Sequence, residues 1–256
     1  MYSYTHQIEN EEIYINQGQA FGGAAIGILL FGQTGYSFPP GSVENATTFK
    51  YPIHYKIIDA ASVEKVVSPQ PDPEVLEQLI KGAKELQVQG CRAIIGACGY
   101  FANYLPQVAA QMDVPCFFSS LMQIPLMLQS MAPNKKIGII CADGSVLPNA
   151  PALANCGVLD PSRIVISGAE VLPEMQKILQ GVGHYNFLKL EHGVVDLAQK
   201  MVAENKDIGA ILLECTLFPT HSAAVQKAVR LPVFDFSTLI DWVYSIVVRK
   251  PFGGYM

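Results

Sequence analysis

The stretch AIIGACGYFANY, Ala93 to Tyr104, and the stretch AILLECTLFPTH, Ala210 to His221, follow one plan. Each opens as an apolar run without polar alternation, the pattern of a strand buried on both faces of a parallel sheet. Each run stops at a thiol, Cys98 or Cys215, and a helical pattern follows whose start is marked by Pro106 or Pro219. Sliding the chain by 117 residues lays 93–120 on 210–237 without a gap. Ala93/Ala210, Ile94/Ile211, Cys98/Cys215, Val108/Val225, Pro115/Pro232, Phe117/Phe234 and Ser120/Ser237 recur in place. A unit that reads strand, thiol, loop, helix, proline, strand is therefore written twice.

Working outward, further apolar runs lie at 24–31, 53–59, 116–119, 137–141, 163–167 and 233–236. Helical patterns alternate with them. The clearest covers 73–89, with Asp72 as N-cap, Pro73 at the first position and Gly90 as the stop. Another covers 187–205, and a last one, STLIDWVYSIVVRK, opens on a Ser/Thr cap and ends on two basic residues. Alternation of this kind predicts an α/β fold with parallel sheets. The repeat divides it into two similar Rossmann-like domains related by a pseudo-twofold axis, with the active site in the cleft between them. The expected division places 1–121 with 235–256 in the domain carrying Cys98, and 122–234 in the domain carrying Cys215.

Composition narrows the function classes. Half of the 256 residues are hydrophobic and 15% are charged, as in a folded globular chain. A net charge of −5 and the lack of a dense Lys/Arg cluster argue against a nucleic-acid partner. The most apolar stretch, AFGGAAIGILLFG, has 13 residues, too few to span a bilayer. The N-terminal stretch lacks the basic and apolar regions of a secretory signal, so a cytoplasmic protein without a membrane partner is expected. Six cysteines without a CxxC pair suit free thiols, and five histidines without ligand spacing suggest no metal. The sequence is compatible with a homo-oligomer.

Ligands of parallel α/β sheets bind outside the carboxyl ends of the strands, where both thiols stand. A helix start favours a thiolate, so a lowered thiol pKa is expected at Cys98 and Cys215. Two thiols facing one cleft from opposite sides suit proton removal on one face of a carbon and delivery on the other, with no cofactor. Backbone N–H groups of Cys98–Gly99–Tyr100 and Cys215–Thr216–Leu217 are placed to hold a substrate carboxylate and a developing enolate. The other four cysteines read as buried structural thiols.

The paired strand–Cys–loop–helix motifs, over roughly residues 24–240, resemble the aspartate/glutamate racemase superfamily. That family also contains hydantoin racemases, arylmalonate decarboxylases and maleate isomerases. The resemblance implies two α/β domains, no cofactor, and a cysteine pair exchanging protons with a small carboxylate or carbonyl compound. Cys98 matches a motif that usually reads Cys-Asn-Thr, and Cys215 one that usually reads Gly-Cys-Thr. Here Gly99 replaces the Asn, Glu214 the Gly, and Leu217 a His or Glu of many relatives. The family also carries substrate-binding residues after the first strand, here Gly32, Gln33 and Thr34, which otherwise read as an ordinary turn. Thr216 reads as a carboxylate-binding hydroxyl or as a local helix cap. The four arginines sit at strand starts or at the end of the last helix, so an acidic substrate side chain is not supported. The expected activity is an isomerase, a two-cysteine racemase or epimerase of an amino-acid-like or carboxylate compound. The alternatives are an isomerase or decarboxylase of the same superfamily using one cysteine, and a small-molecule binding protein on that fold.

Overall fold

The structure, a computed structural model, describes residues 16–32, 34 and 36–255. They build two four-stranded parallel sheets. The first contains β1 (Ile26–Phe31), β2 (Ile53–Ile58), β3 (Ala93–Gly96) and β4 (Cys116–Phe117), in the order β2-β1-β3-β4. The second contains β5 (Lys136–Cys141), β6 (Ile164–Gly168), β7 (Ile208–Leu213) and β8 (Val233–Phe234), in the order β6-β5-β7-β8. The two orders are the same, as the repeat requires. In the first sheet Ile26 pairs with Ala93, and in the second Ile137 pairs with Ala210.

All eight apolar runs form strands. The edge strands β4 and β8 are shorter than their runs because a capping residue ends each one. Ser119 turns its hydroxyl to the Leu121 amide, and Asp235 accepts from the Thr238 amide. Asp235 also corrects the expected start of the last helix. That helix spans Phe236–Val247, and its cap is Asp235 in a capping box with Thr238. The helix Pro73–Val88 forms as its sequence dictates, with the Asp72 carboxylate taking the Glu74 and Val75 amides and Gly90 turning away at φ +91°.

The central strands are buried on both faces. Helix Pro73–Val88 covers one face of the first sheet with Val75, Leu79, Ala83 and Leu86, and helix Phe236–Val247 covers the other. Phe236, Leu239, Ile240 and Val243 pack there on Ile26, Ile28, Ala93 and Ile95, all at most 1% exposed. At about 1.5–3 kcal/mol per buried side chain, this seam alone outweighs the net stability of a typical domain before ordering costs are counted.

The halves meet at the carboxyl ends of β3 and β7. Tyr100 donates its hydroxyl to the Asp143 carbonyl at 2.6 Å, and Asn155 donates to the Ala102 carbonyl at 2.9 Å. Ser120 donates to the Leu213 carbonyl at 3.1 Å, and the Val43 amide donates to the Thr216 carbonyl at 3.1 Å. These bonds set the two thiol loops against each other.

Candidate active site

Both thiols line one small cleft between the sheets, with Gly99, Tyr100, Glu214 and Thr216. The local backbone follows from the repeat. After β3, Cys98 is extended at φ −168° and a 3-10 turn, Gly99–Tyr104, begins at once. The Tyr100 and Phe101 amides donate to the Cys98 sulfur, and the Phe101 amide also reaches the Cys98 carbonyl at 3.0 Å. After β7, the Leu217 amide donates to the Cys215 sulfur, and the Phe218 amide reaches the Cys215 carbonyl at 3.0 Å. Phe101 and Phe218 hold the same place in the two copies.

Each sequence-derived candidate can now be placed. Cys98, Cys215, Gly99, Tyr100, Thr216 and Thr34 line the cleft. Gln33 lies outside the described residues. Gly32 does not line the cleft: its amide bonds the Ala61 carbonyl, and a Cβ there would meet the Asp59 backbone at 2.5 Å. Leu217 is fully buried and reaches the site only through its amide. His221, six residues after Cys215, does not line the cleft: it is buried, with Nδ1 at 3.3 Å from Glu191 and its ring against Phe187.

The two departures at the thiols, Gly99 and Glu214, are one structural exchange. The Glu214 carboxylate accepts the Gly99 amide from the first half and the Ala142 amide, at 3.0 Å, from the second. A Cβ on residue 99 would lie 1.7 Å from Glu214 Oε1. Only glycine leaves room for this clamp.

The ionisable side chains around the site are acidic or thiol groups, and burial acts on each of them. Glu214 is 1% exposed, and burial pushes its carboxyl up to about 7 despite the two amide donors. Glu44 stands on the loop after β1, turned there by Gly41 at φ +102°. Thr216 donates its hydroxyl to Glu44 Oε1 at 2.6 Å, while Oε2 is sealed from solvent without a partner. Burial lifts Glu44 to about 7 as well. Among the described lining residues there is no Lys or Arg.

The thiols respond accordingly. Burial first, and the Glu214 charge second, hold Cys98 well above the usual thiol range, against the pull of its two amide donors. Cys215 is raised by the same two causes and by Glu44. The expectation of a lowered thiol pKa is thus corrected: turn amides do point at both sulfurs, but burial and a neighbouring anion outweigh them.

Sequence reasoning did not bring Glu44 into the site, because nothing in its spacing links residue 44 to residue 216. It also missed the apolar roof, Met175, Ile178 and Leu179 from helix Pro173–Leu179 with Val63 and Val67 across from them.

Over 229 residues the chain is 32% identical to dimethylsulfoniopropionate lyase 7 of Emiliania huxleyi, covering 86% of this chain and 67% of that protein. A dimethylsulfoniopropionate lyase of Durusdinium sp. clade D is 30% identical over 220 residues, covering 84% and 72%. The chain belongs to the dimethylsulfoniopropionate lyase family. It spans 59% of the length of another relative, lyase 6 of Emiliania huxleyi. No family model matches the chain. These relatives overturn the expectation of an isomerase, since they are lyases at about 30% identity over most of the chain.

Solved structures share the fold. Unliganded arylmalonate decarboxylase superposes with a TM-score of 0.55 at 16% identity, covering 91% of this chain and 95% of that one. A glutamate racemase from Bacillus anthracis gives 0.53 at 14% identity, covering 87% and 82%. The superfamily resemblance therefore holds at the level of the fold, while the nearer kinship is with lyases. Among the described residues, no helix is long and apolar enough to cross a membrane.

Proposed function

We propose that this chain is a lyase that eliminates dimethyl sulfide from dimethylsulfoniopropionate or a close β-onium carboxylate, with a cysteine as base. The observation that carries the reading is the placement of Cys98 and Cys215 in one cleft, in a chain related to lyases of that name. In such a substrate the hydrogens beside the carboxylate are acidified, and the sulfonium one carbon further is a good leaving group. A thiolate takes the α-proton, the C–H electron pair becomes the new C=C bond, and the C–S pair departs with sulfur. The products are dimethyl sulfide, acrylate and a proton.

Elimination needs a base on one face only. Cys215 is the better candidate for it. Its sulfur accepts one amide, whereas the Cys98 sulfur is tied by two. Fewer donors leave a thiolate more basic. Three of the amides expected to hold the substrate carboxylate are already engaged, Gly99 with Glu214, Tyr100 with Cys98 and Leu217 with Cys215. Thr34, which lines the cleft, takes that role in this reading. The cleft encloses only about 40 Å³, room for one or two waters, so the helix Pro173–Leu179 must yield for substrate to enter.

The test is direct. Purified protein is incubated with dimethylsulfoniopropionate, the headspace is assayed for dimethyl sulfide, and the solution for acrylate by NMR. Equal amounts of the two are expected. Absence of dimethyl sulfide, or 3-hydroxypropionate in place of acrylate, overturns the reading.

A further inference from the structure

The cleft carries a charge imbalance that the elimination reading does not use. Glu214, almost fully buried, sits beside both sulfurs and joins the two thiol loops through the Gly99 and Ala142 amides. Glu44, tied to Thr216, keeps one carboxylate oxygen sealed from solvent and unpartnered. One buried carboxylate, Glu214, thus lines the cleft, a second, Glu44, stands behind the lining residue Thr216, and the described lining residues include no cation. A buried anion without a counter-charge is costly and is normally paired. Here the counter-charge is left for something that enters. Tyr36 and Tyr100 line the same cleft and Phe31 stands beside them, rings that suit an alkylated cation better than a hydrated one.

The same anions act on the thiols. Glu214 and Cys98 face the Cys215 sulfur, with Glu44, Tyr36 and Tyr185 in electrostatic reach. Each of these groups, when charged, is negative. With no cation bound, every charge around the sulfur opposes a thiolate, and the cysteine keeps its proton.

We propose that the onium group of the substrate is the switch that turns Cys215 into a base: by occupying the space beside Glu44 and Glu214 it supplies the missing positive charge, and the thiol then gives up its proton. This rests on the site being one for a β-onium carboxylate. The proton leaves to solvent on binding, S–H becoming S⁻, and the thiolate stands ready for the α-proton. Selectivity for a cation over a neutral compound of the same shape then lies in base formation as well as in binding. An idle enzyme with its thiols protonated is also protected from alkylation and oxidation, which act on thiolates.

The test uses two compounds of one shape. 3-(Trimethylammonio)propionate carries the charge but has a poor leaving group, and 4,4-dimethylpentanoate replaces its nitrogen by carbon. Binding is followed by calorimetry and thiolate by its ultraviolet absorbance, across a pH series that brackets the titration of the two glutamates. The ammonium compound is expected to raise the thiolate absorbance to saturation and release a proton, and the pentanoate to do neither. Cys215→Ser should abolish the signal, and Cys98→Ser should retain it. Glu44→Gln should require about tenfold more ammonium compound for the same signal, as loss of one charge contact implies, with Glu44→Asp intermediate. The inference is overturned if the ammonium compound fails to bind, if it binds without a thiolate signal, or if the pentanoate gives the same signal. The lyase reading fails separately, by the absence of dimethyl sulfide from dimethylsulfoniopropionate itself.

Discussion

The loop that ends β3 and the loop that ends β7 share a backbone and differ in the side chains they bring to the cleft. Both place a thiol at the strand end, turn into a 3-10 helix and aim amides at the sulfur. The Cys98 loop adds no ionisable neighbour of its own: Gly99 is bare and the Tyr100 hydroxyl is spent on Asp143. The Cys215 loop supplies Glu214 and Thr216, and through Thr216 it recruits Glu44. The repeat makes the frame symmetric, and in the proposed mechanism a few side chains make the Cys215 half the chemical half. A two-base racemase needs equivalence across the cleft, whereas an elimination from one face does not.

The largest expected effect strikes that asymmetry. Cys215→Ala should lower dimethyl sulfide production by about 10²–10⁴-fold, the usual worth of a positioned general base. Cys98→Ala should cost about tenfold or less, through packing and substrate position. Equal losses in the two variants would restore symmetry and refute the assignment; kcat/KM for dimethylsulfoniopropionate checks it.

Next in size is the Gly99–Glu214 clamp. Gly99→Ala sets a methyl group on the Glu214 carboxylate and should destabilise the fold by about 1–3 kcal/mol. Adding Glu214→Gly should recover most of that loss, so the double variant is more stable than the sum of the singles allows. Denaturant melts of the four proteins measure the coupling.

The two raised carboxyls give a pH dependence. Unfolded, Glu214 and Glu44 lose their protons near 4.5; folded, they keep them to about 7. Across that window the folded chain binds more protons, so stability falls as pH rises from about 4.5 to 7, by about 1–3 kcal/mol for each group. Glu214→Gln and Glu44→Gln should each flatten the slope. A wild type whose melting temperature rises steadily over that range contradicts the account.

The smallest effect lies on the Cys98 side. Tyr100→Phe removes the 2.6 Å bond to the Asp143 carbonyl and should cost about 0.5–1.5 kcal/mol, with little change in turnover. Thermal melts and steady-state rates together separate these.

The sequence already carried the eight strands and the helix caps at Asp72 and Gly90, because continuous apolar runs and caps are local features. It also carried the facing thiols, because a repeat fixes topology. The clamp was half visible: Gly99 and Glu214 stood out as departures, but their mutual contact needs the two halves docked. Glu44 was invisible, since its bond to Thr216 joins residues 172 apart in the chain. The thiols' ionisation was misjudged for the same reason. A strand end beside a turn is local, while burial is not; Glu214 adjoins Cys215 in the chain and was open to reading as a group that raises its pKa, but it acts on Cys98 only once the halves are docked.

The central claim, proton removal from one face by one thiol, has a direct stereochemical test. Dimethylsulfoniopropionate bearing a single deuterium on the α-carbon is prepared in both configurations, and the acrylate is analysed for label. One configuration should yield fully deuterated acrylate and the other unlabelled acrylate. The same mixture of labelled and unlabelled acrylate from both configurations would contradict the single-base account.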